Sequence, residues 1–445
     1  MRRNWIAAAG AVAIVAALGV AGCGSSSSSG GGGSSGASSG GGATAPGVTS
    51  TSITFGSHQP LTGPAAPGYS EIAPASQAFF NYVNAHGGVL GRKIHLIYKD
   101  DAYNPTNTVN VVHQLVLQNH VFGIFEGLGT PTHTKVVSYL NASRVPDLFV
   151  ASGCACWDDG SKQPYTFGWQ TNYTIEGKIL GQYIKKHFAG QKIAVLYQDD
   201  DFGQGGLAGI EAEVPKADIV SKQPYQSGAT TLAPQITSIK SSKAKVLVQF
   251  TVPFYTAIAE LTSFTLGYKP QLVVSNVGID PTTVGALLKV VSKGKASGTG
   301  LIEGAITDGY MPSSADTSNP WVALFKKIHD QYDKSAPFDG NVEYGMASAY
   351  TLVQALQAAG KNLTRQDVVQ AIEQNGSKWT GPGLTPFRYN KTDHGGFSGT
   401  EVGQIRHGKI VLFGGPLRTT PDPGTPITPY TTPQPSPPAS GVPSS

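Results

Sequence analysis

Two short loops carry the residue types best suited to holding a small polar ligand. The first loop runs Gly127-Leu128-Gly129-Thr130-Pro131-Thr132 and joins a predicted strand to a predicted helix. Its glycines let a ligand approach the backbone, and Thr130 offers a hydroxyl. The first turn of the following helix offers unpaired N–H groups with partial positive charge. Such a loop can hold an anion, for instance a carboxylate, without an arginine. The alternative is an ordinary helix-capping turn.

The second loop, Ala151-Ser152-Gly153, follows another predicted strand and offers the same groups. Because successive parallel strands end at one edge of a sheet, we expect the two loops to converge on one ligand. Aromatic side chains at Tyr69, Trp157, Tyr173 and Phe202 lie in predicted loops or at the edges of predicted elements. They are suited to wall a cleft, although each also fits ordinary packing.

Two cysteines directly follow the second loop, in the sequence Cys154-Ala155-Cys156. A disulfide is permitted in an exported protein, and we predict a local bridge here, with free thiols as the alternative. Zinc would need further ligands, and no His or Cys lies nearby in the sequence. We therefore predict no metal site.

The sequence lacks the local signatures of common enzymes. The segment Gly203-Gln204-Gly205-Gly206-Leu207-Ala208 matches a dinucleotide pattern but does not directly follow its strand, which disfavours nucleotide binding. Asp199-Asp200-Asp201 lacks the spacing of a calcium loop. Neither H-E-x-x-H nor G-x-S-x-G occurs. We therefore expect neither an enzyme nor a cofactor.

Short apolar strands alternate with helical patterns from Ser52 onward. Strand 93–99, for example, is followed by helix 106–119 and strand 121–125. Strands of about five residues separated by helices of about 12 predict right-handed βαβ units and a parallel sheet. The same rhythm restarts at helix 175–188, which predicts an α/β protein with two doubly wound, Rossmann-like lobes.

Both ends of the chain are predicted to lie outside the lobes. Residues 1–22 combine a basic start with an apolar run of about 15 residues, which is typical of a signal peptide. Because Val20-Ala21-Gly22-Cys23 looks like a bacterial lipobox, we expect Cys23 to be lipidated; the alternative is an ordinary signal peptide. A Gly/Ser linker is expected to follow within 23–50, and the Pro-rich residues 419–445 are predicted to be disordered.

Composition limits the remaining possibilities. The chain has 445 residues, which suits two domains, and its net charge of +4 excludes a strongly basic nucleic-acid scaffold. Only 3 Cys are present, which excludes a small disulfide-stapled fold and a Cys-rich zinc protein.

Several longer motifs share their order and spacing with one known family. They are LTGP at 61–64, GGVLGRKIHLIYKDD at 87–101, GTPTH from Gly129, VPDLFVASG from Val145, IAVLYQDDDFGQG from Ile193 and YGMASAYTLVQALQAAGKNLTRQDVVQAI from Tyr344. In these motifs the chain resembles the type I periplasmic binding proteins, within them the leucine/isoleucine/valine-binding branch that feeds ABC transporters. The similarity runs from about Ile53 to Gly415.

The resemblance implies a Venus-flytrap arrangement, in which two lobes are joined by a hinge of three segments. It places the crossings near Trp169-Gln170, near Leu301–Gly304 and near Phe397–Glu401. The first lobe then comprises 52–169 and 302–398, and the second comprises 170–301 and 399–418.

The resemblance also implies roles for individual residues. In the family, loops matching Gly129-Thr130 and Ala151-Ser152-Gly153 hold the carboxylate and ammonium of an amino acid, and aromatic residues match Tyr69 and Phe202. The family often has a carboxylate in the second lobe where this chain has Asn276. Asp280 is the candidate substitute; otherwise the ligand is expected to be an amide, a carboxylic acid or another polar metabolite.

The sequence therefore predicts a monomeric, membrane-anchored substrate-binding protein of an ABC importer on the extracytoplasmic face of the cell membrane. Its expected ligand is a branched-chain amino acid or a related amide or carboxylate. Its expected partners are permease and ATPase subunits, with no nucleic acid. The alternatives are a ligand-sensing receptor ectodomain on the same fold and an extracytoplasmic hydrolase.

Overall fold

A computed structural model describes residues 45–296 and 298–443. The predicted signal peptide, the lipidation site Cys23 and the linker up to residue 44 lie outside the described residues. Residues 45–50 belong to the folded body rather than to a linker, since Val48 is buried and pairs with Ile53. Among the described residues, no helix combines the length and the apolar character required to cross a membrane.

The strands of the described residues build two sheets. They are, in chain order, β1 Ser52–Gln59, β2 Lys93–Asp100, β3 Ile124–Phe125, β4 Asp147–Val150, β5 Thr166–Gly168, β6 Ile193–Gln198, β7 Ile219–Tyr225, β8 Val246–Phe250, β9 Gln271–Val274, β10 Ile306–Gly309, β11 Gly399–Arg406, β12 Lys409–Leu412, β13 Leu417–Arg418 and β14 Thr428–Pro429.

Helices connect most of the parallel strands. Several begin at a side-chain cap, as at Asn172, which accepts from the N–H of Thr174, and at Asp200, which accepts from the N–H groups of Phe202 and Gly203. They are α1 Ala66–Tyr69, α2 Ile72–Ala85, α3 Pro105–Leu117, α4 Thr130–His133, α5 Val137–Ala142, α6 Tyr173–His187, α7 Asp201–Glu213, α8 Ala233–Ser241, α9 Pro253–Thr265, α10 Pro281–Val291, α11 Pro320–Tyr332, α12 Gly340–Ala359 and α13 Arg365–Asn375.

The first lobe is built on a five-stranded parallel sheet with the order β2-β1-β3-β4-β5. Strands β3 and β4 are buried at every residue, as expected for parallel strands that are covered on both faces. The loops 127–132 and 151–153 follow these two neighbouring strands, so they leave the sheet side by side.

The second lobe has a nine-stranded sheet, with the order β14-β13-β11-β10-β9-β8-β6-β7 and β12 paired to β11. Strand β10 pairs in parallel with β9 and antiparallel with β11. The sequence places a hinge crossing near 301–304 and assigns β10 to the first lobe. That boundary is wrong, because hydrogen bonding holds β10 in the second sheet and the chain leaves that sheet only after Gly309.

The glycine-rich segment 203–208 lies inside α7, where it serves helix packing. A Cβ added to Gly206 would lie 2.2 Å from the Phe250 ring, and one added to Gly209 would lie 2.4 Å from the carbonyl oxygen of Thr174 in α6. Only glycine allows α6 and α7 to approach this closely. The segment is therefore a helix contact rather than a phosphate loop.

The prediction of disorder for 419–445 is wrong for residues 419–443. The Lys178 side chain in α6 donates from Nζ to the Thr419 hydroxyl and to three carbonyl oxygens of this segment, at 2.6–3.1 Å. Those carbonyls belong to Thr420, Asp422 and Thr425.

The same segment continues onto the first lobe. Trp321 Nε1 donates to the carbonyl of Pro435 at 2.6 Å, and the Tyr82 hydroxyl donates to the carbonyl of Ser440 at 2.6 Å. An extended Pro-rich chain leaves its carbonyl oxygens unpaired. Composition indicates that such a chain cannot form its own core, but it does not reveal that another surface supplies the missing donors.

Candidate functional site

A cavity of about 420 Å³ lies between the two lobes, at the carboxyl ends of strands from both sheets. Seven of the nine ligand residues predicted from the sequence line it. They are Tyr69, Gly129, Thr130, Ala151, Tyr173, Phe202 and Asn276. The other two, Ser152 and Gly153, lie directly behind the lining.

The two predicted loops are joined to each other by hydrogen bonds. The N–H of Gly129 donates to the carbonyl of Ala151 at 3.2 Å, and the N–H of Ala151 donates to the carbonyl of Gly127 at 3.0 Å. Gly129 has φ of 104°, a backbone conformation that favours glycine. This conformation brings Thr130 to the cavity at the start of α4.

The hydroxyl groups of this wall form one cluster. Thr130 Oγ1 and Ser152 Oγ are 2.6 Å apart, and Ser152 Oγ also accepts from the N–H of Cys154 at 3.3 Å. The Tyr173 hydroxyl lies 3.5 Å from Ser152 Oγ, and burial raises the pKa of Tyr173 to about 12, so its hydroxyl stays a neutral donor. Thr130 lines the cavity, and Ser152, which does not, supports it from behind.

Gly153 and Trp157 support this wall without lining the cavity. The carbonyl of Gly153 accepts from the N–H of Tyr173 at 2.8 Å. Trp157 is 1% exposed, and its Nε1 donates to the carbonyl of Ser152 at 2.8 Å. Trp157 therefore packs behind the wall, which is the alternative that the sequence leaves open to a role in lining the cleft.

Aromatic side chains connect the two lobes across the cavity. The Tyr69 hydroxyl in the first lobe donates to the carbonyl of Val277 in the second, at 2.7 Å. The Phe202 ring in the second lobe packs with its centroid 4.6 Å from that of Tyr173. The two lobes thus contact each other around the cavity.

Asn276 covers two carboxyl groups that the sequence did not single out. Its main-chain N–H donates to Glu176 Oε1 at 3.0 Å, and its side-chain amide contacts both oxygens of Asp308 at 3.2 and 3.3 Å. Asp308 lines the cavity, and each carboxyl residue is 1% exposed. The missing signal was topological, since the sequence assigned β10, which carries Asp308, to the wrong lobe.

Glu176 and Asp308 form a buried acid pair that binds protons more tightly than free carboxyl groups do. Burial first, and then the charge of Asp308, raises the pKa of Glu176 well above its usual range. Burial also raises the pKa of Asp308, while the hydrogen bonds from Glu176 and Asn276 oppose that rise. We therefore place the shared proton on Glu176 and the charge on Asp308. Within the described residues, neither carboxyl group forms an ion pair with a lysine or arginine.

Asp280 lines the cavity but is already occupied by backbone donors. One of its oxygens accepts from the N–H of Thr283 at 2.9 Å, and the other accepts from the N–H of Gly340 across the lobes at 3.2 Å. Asp308, which lines the cavity beside Asn276, is a second candidate for the charge that Asn276 lacks. Glu343 also lines the cavity, where Oε1 is buried without a hydrogen-bond partner.

Cys154 and Cys156 are joined by a disulfide at the edge of the first wall. Cys156 Sγ lies 3.7 Å from Asp201 Oδ2, at the start of α7 in the second lobe. Because each sulfur is bonded to the other, the two cysteines do not offer thiolates to a metal ion. The bridge instead holds the chain directly after Ser152.

Known proteins are similar to this chain in sequence or in structure. Leu/Ile/Val-binding protein homolog 8 of Brucella abortus is 23% identical over 380 residues, which cover 81% of this chain and 89% of that protein. The structure of a branched chain amino acid ABC transporter from Thermus thermophilus with bound valine is similar with a TM-score of 0.72, at 20% identity over 83% of this chain and 97% of that one.

A further similar structure is the fatty acid ABC transporter substrate-binding protein from Thermomonospora curvata. Its TM-score is 0.70, at 22% identity over 83% of this chain and 92% of that one. A sequence profile of the periplasmic binding protein family matches residues 52–409. With its two α/β lobes and the cavity between them, the chain belongs to the periplasmic binding protein family.

Proposed function

We propose that this protein is the substrate-binding component of an ABC importer and that it captures an amino acid with an apolar side chain. The observation that carries the proposal is the chemistry of the two cavity walls. Hydroxyl groups of Thr130 and Tyr173 face the cavity from one side, and the acid pair of Asp308 and Glu176 lies on the other. A ligand with a carboxylate at one end and an ammonium at the other matches both walls.

The orientation of the ligand follows from these charges. Its carboxylate lies against the hydroxyl-bearing side chains of Thr130 and Tyr173 on the first wall. Its ammonium lies against Asp308, whose charge has no basic partner in the described chain. The apolar side chain then contacts Ile72, Met311 and other apolar lining residues. The cavity volume falls within the range of roughly 300–1000 Å³ usual for small-molecule sites.

Binding without turnover is the proposed activity. The hydroxyls of Thr130 and Ser152 bond to each other, and no described histidine hydrogen-bonds to either of them. A serine or threonine nucleophile needs an adjacent base. The arrangement therefore favours a binding protein over the hydrolase alternative.

The transport cycle rests on closure of the lobes. Contacts such as Tyr69 to Val277 and Asp280 to Gly340 form across the cavity. A ligand that touches both walls binds the closed form more tightly than the open form and so shifts the population toward it. The closed protein, a monomer anchored through lipidated Cys23 on the extracytoplasmic face of the membrane, then delivers its ligand to the permease and ATPase subunits.

Calorimetric titration with L-leucine, L-valine and L-isoleucine tests the proposal, together with small-angle scattering of the free and saturated protein. We expect binding with a single site per chain and a smaller radius of gyration when the site is filled. Binding of none of a wide panel of amino acids, amides and carboxylic acids by correctly folded protein would contradict it. Binding without neighbouring permease genes would favour the sensory ectodomain instead.

A further inference from the structure

Four buried side chains form a continuous hydrogen-bonded chain beneath the first ligand loop. Asp101 Oδ2 lies 2.9 Å from His58 Nδ1, His58 Nε2 lies 2.9 Å from His133 Nδ1, and His133 Nε2 lies 2.7 Å from Asp147 Oδ2. Each of the four residues is 0% exposed. They come from β1, the residue after β2, α4 and the start of β4. We call this set the His58–His133 network.

The network needs one proton more than its neutral histidines supply. Three hydrogen bonds in series require three protons, one in each gap. Two neutral imidazoles bring two protons, and two carboxylates bring none. Without a third proton, one gap holds two facing acceptors at hydrogen-bond distance, which is repulsive in a buried site. The observed geometry therefore corresponds to the network with its third proton.

The ligand loop rests directly on the contact between the two rings. A Cβ added to Gly127 would lie 2.6 Å from His58 Nε2 and 2.7 Å from His133 Nδ1. The N–H of Leu128 donates to the carbonyl of His58 at 3.1 Å. His133 is the last residue of α4, the helix that begins with Thr130. Any change in the distance between the rings is thus transmitted to the hydroxyl that faces the cavity.

Other contacts hold the two carboxylates of the network in place. Hydroxyl groups of Thr108 and Thr166 donate to Asp101 Oδ2 and Asp147 Oδ2, at 2.8 and 2.9 Å. Trp157 approaches the His133 ring edge-on, with a centroid distance of 5.2 Å. The titratable groups that face His58 from the elements packed on it are Asp101, His133 and, further away, Asp147.

We propose that His58 and His133 are positioning residues for ligand capture, and that they hold Thr130 in its binding geometry while their network carries its third proton. The proposal rests on the proposed function of the cleft. Ligand affinity is then highest at acid pH and falls as pH rises, because loss of the proton separates the rings and displaces the loop. By linkage, the bound ligand strengthens proton binding by the same factor.

The environment of His58 sets the direction of this titration. Burial lowers the pKa of His58, and the hydrogen bond and charge of Asp101 oppose that effect. A lowered pKa means that the proton leaves on the acid side of the ordinary imidazole range. The loss of affinity is therefore expected while pH rises through mildly acid values.

Asp147→Asn supplies the missing proton permanently. The introduced side-chain amide donates to His133 Nε2, so His133 donates from Nδ1 to His58 and His58 donates from Nδ1 to Asp101. All three gaps are then filled with both histidines neutral, and the network no longer titrates. Asp101→Asn does the same from the other end and serves as a second variant if Asp147→Asn does not fold. His95→Gln, at an exposed histidine on β2, is the matched control.

The test is the affinity for L-leucine, measured by calorimetry between pH 5 and pH 8. We expect the affinity of the wild-type protein and of His95→Gln to fall roughly fivefold over this range, as for one buried polar group left unpaired. Asp147→Asn is expected to keep the acid-pH affinity throughout. A flat wild-type profile, or an Asp147→Asn variant with the wild-type pH profile, would overturn the proposal.

Hydrogen exchange of residues 126–134 separates this proposal from the proposed function, because it needs no ligand. After correction for intrinsic exchange, the protection of this segment is expected to fall with rising pH in the wild-type protein and to stay constant in Asp147→Asn. Equal pH dependence in the two proteins would refute the role of the network. Failure of L-leucine to bind, with the expected exchange result, would count against the ligand alone.

Discussion

The two walls of the cavity hold opposite chemistry and are built in opposite ways. The first-lobe wall consists of hydroxyls on two loops that each follow a strand directly, with Thr130 in front and Ser152 behind. The second-lobe wall gathers Asn276, Glu176 and Asp308 from three distant parts of the chain. A wall made of consecutive residues can be recognised in a sequence, whereas a wall assembled by topology cannot. The negative charge that Asn276 lacks is therefore offered nearby by Asp308 on β10.

Asp308→Asn should have the largest effect on binding. The variant removes the negative charge opposite the ligand ammonium, and we expect leucine affinity to fall by about 3 kcal/mol. The thermal stability of the ligand-free protein should rise, because a buried charge without a basic partner is lost. Calorimetry and thermal unfolding measure the two effects. Unchanged affinity would mean that the second wall does not contact the ligand.

Thr130→Ala tests the first wall. The ligand carboxylate loses one hydroxyl donor, so we expect an affinity loss of about 2 kcal/mol, and the unfolding free energy should also fall because Ser152 loses its hydroxyl partner. Thr134→Ala, one turn further along and outside the cavity lining, is the control and should bind normally. Equal losses in the two variants would show a general disturbance of α4 rather than a lost contact.

Ser152→Ala tests whether Ser152 supports Thr130 or itself contacts the ligand. Because Ser152 lies behind Thr130 and is 1% exposed, we expect an affinity loss of about 1 kcal/mol, smaller than for Thr130→Ala. The unfolding free energy should fall, since Thr130 and Cys154 lose their partner. A larger affinity loss than for Thr130→Ala would reverse the proposed order of the two hydroxyls.

Each lobe also contains a buried glutamate whose pKa is raised. Burial raises the pKa of Glu126 in the first lobe and of Glu260 in the second to about 8, from 4.5. The folded state keeps a proton that the unfolded state releases, so this stability is complete below pH 4.5 and is lost as pH rises through about 8.

The unfolding free energy of the wild-type protein should fall between pH 6 and pH 7. Glu126→Gln and Glu260→Gln should each make this fall smaller by about 1 kcal/mol. Denaturant unfolding at the two pH values measures this difference. Wild-type pH dependence in either variant would show that the corresponding carboxyl group is already ionised in the folded protein.

The sequence predicted the parts of this molecule that depend on neighbouring residues. The α/β alternation and the strand-to-loop position of Thr130 are local patterns. Two features depended on partners far away: His58 and His133 are 75 residues apart, and the acceptor carbonyls of the C-terminal segment meet donors such as Trp321 more than a hundred residues away. Periodicity and composition carry no information about such partners.

The polarity of the cavity is tested most directly by measuring three matched ligands against two variants. The ligands are L-leucine, 4-methylpentanoate without the amine, and 3-methylbutylamine without the carboxylate; the variants are Thr130→Ala and Asp308→Asn. We predict that Thr130→Ala weakens only the two ligands with a carboxylate and that Asp308→Asn weakens only the two with an amine. Equal weakening of all three ligands by either variant would contradict the assignment of opposite ligand ends to the two walls.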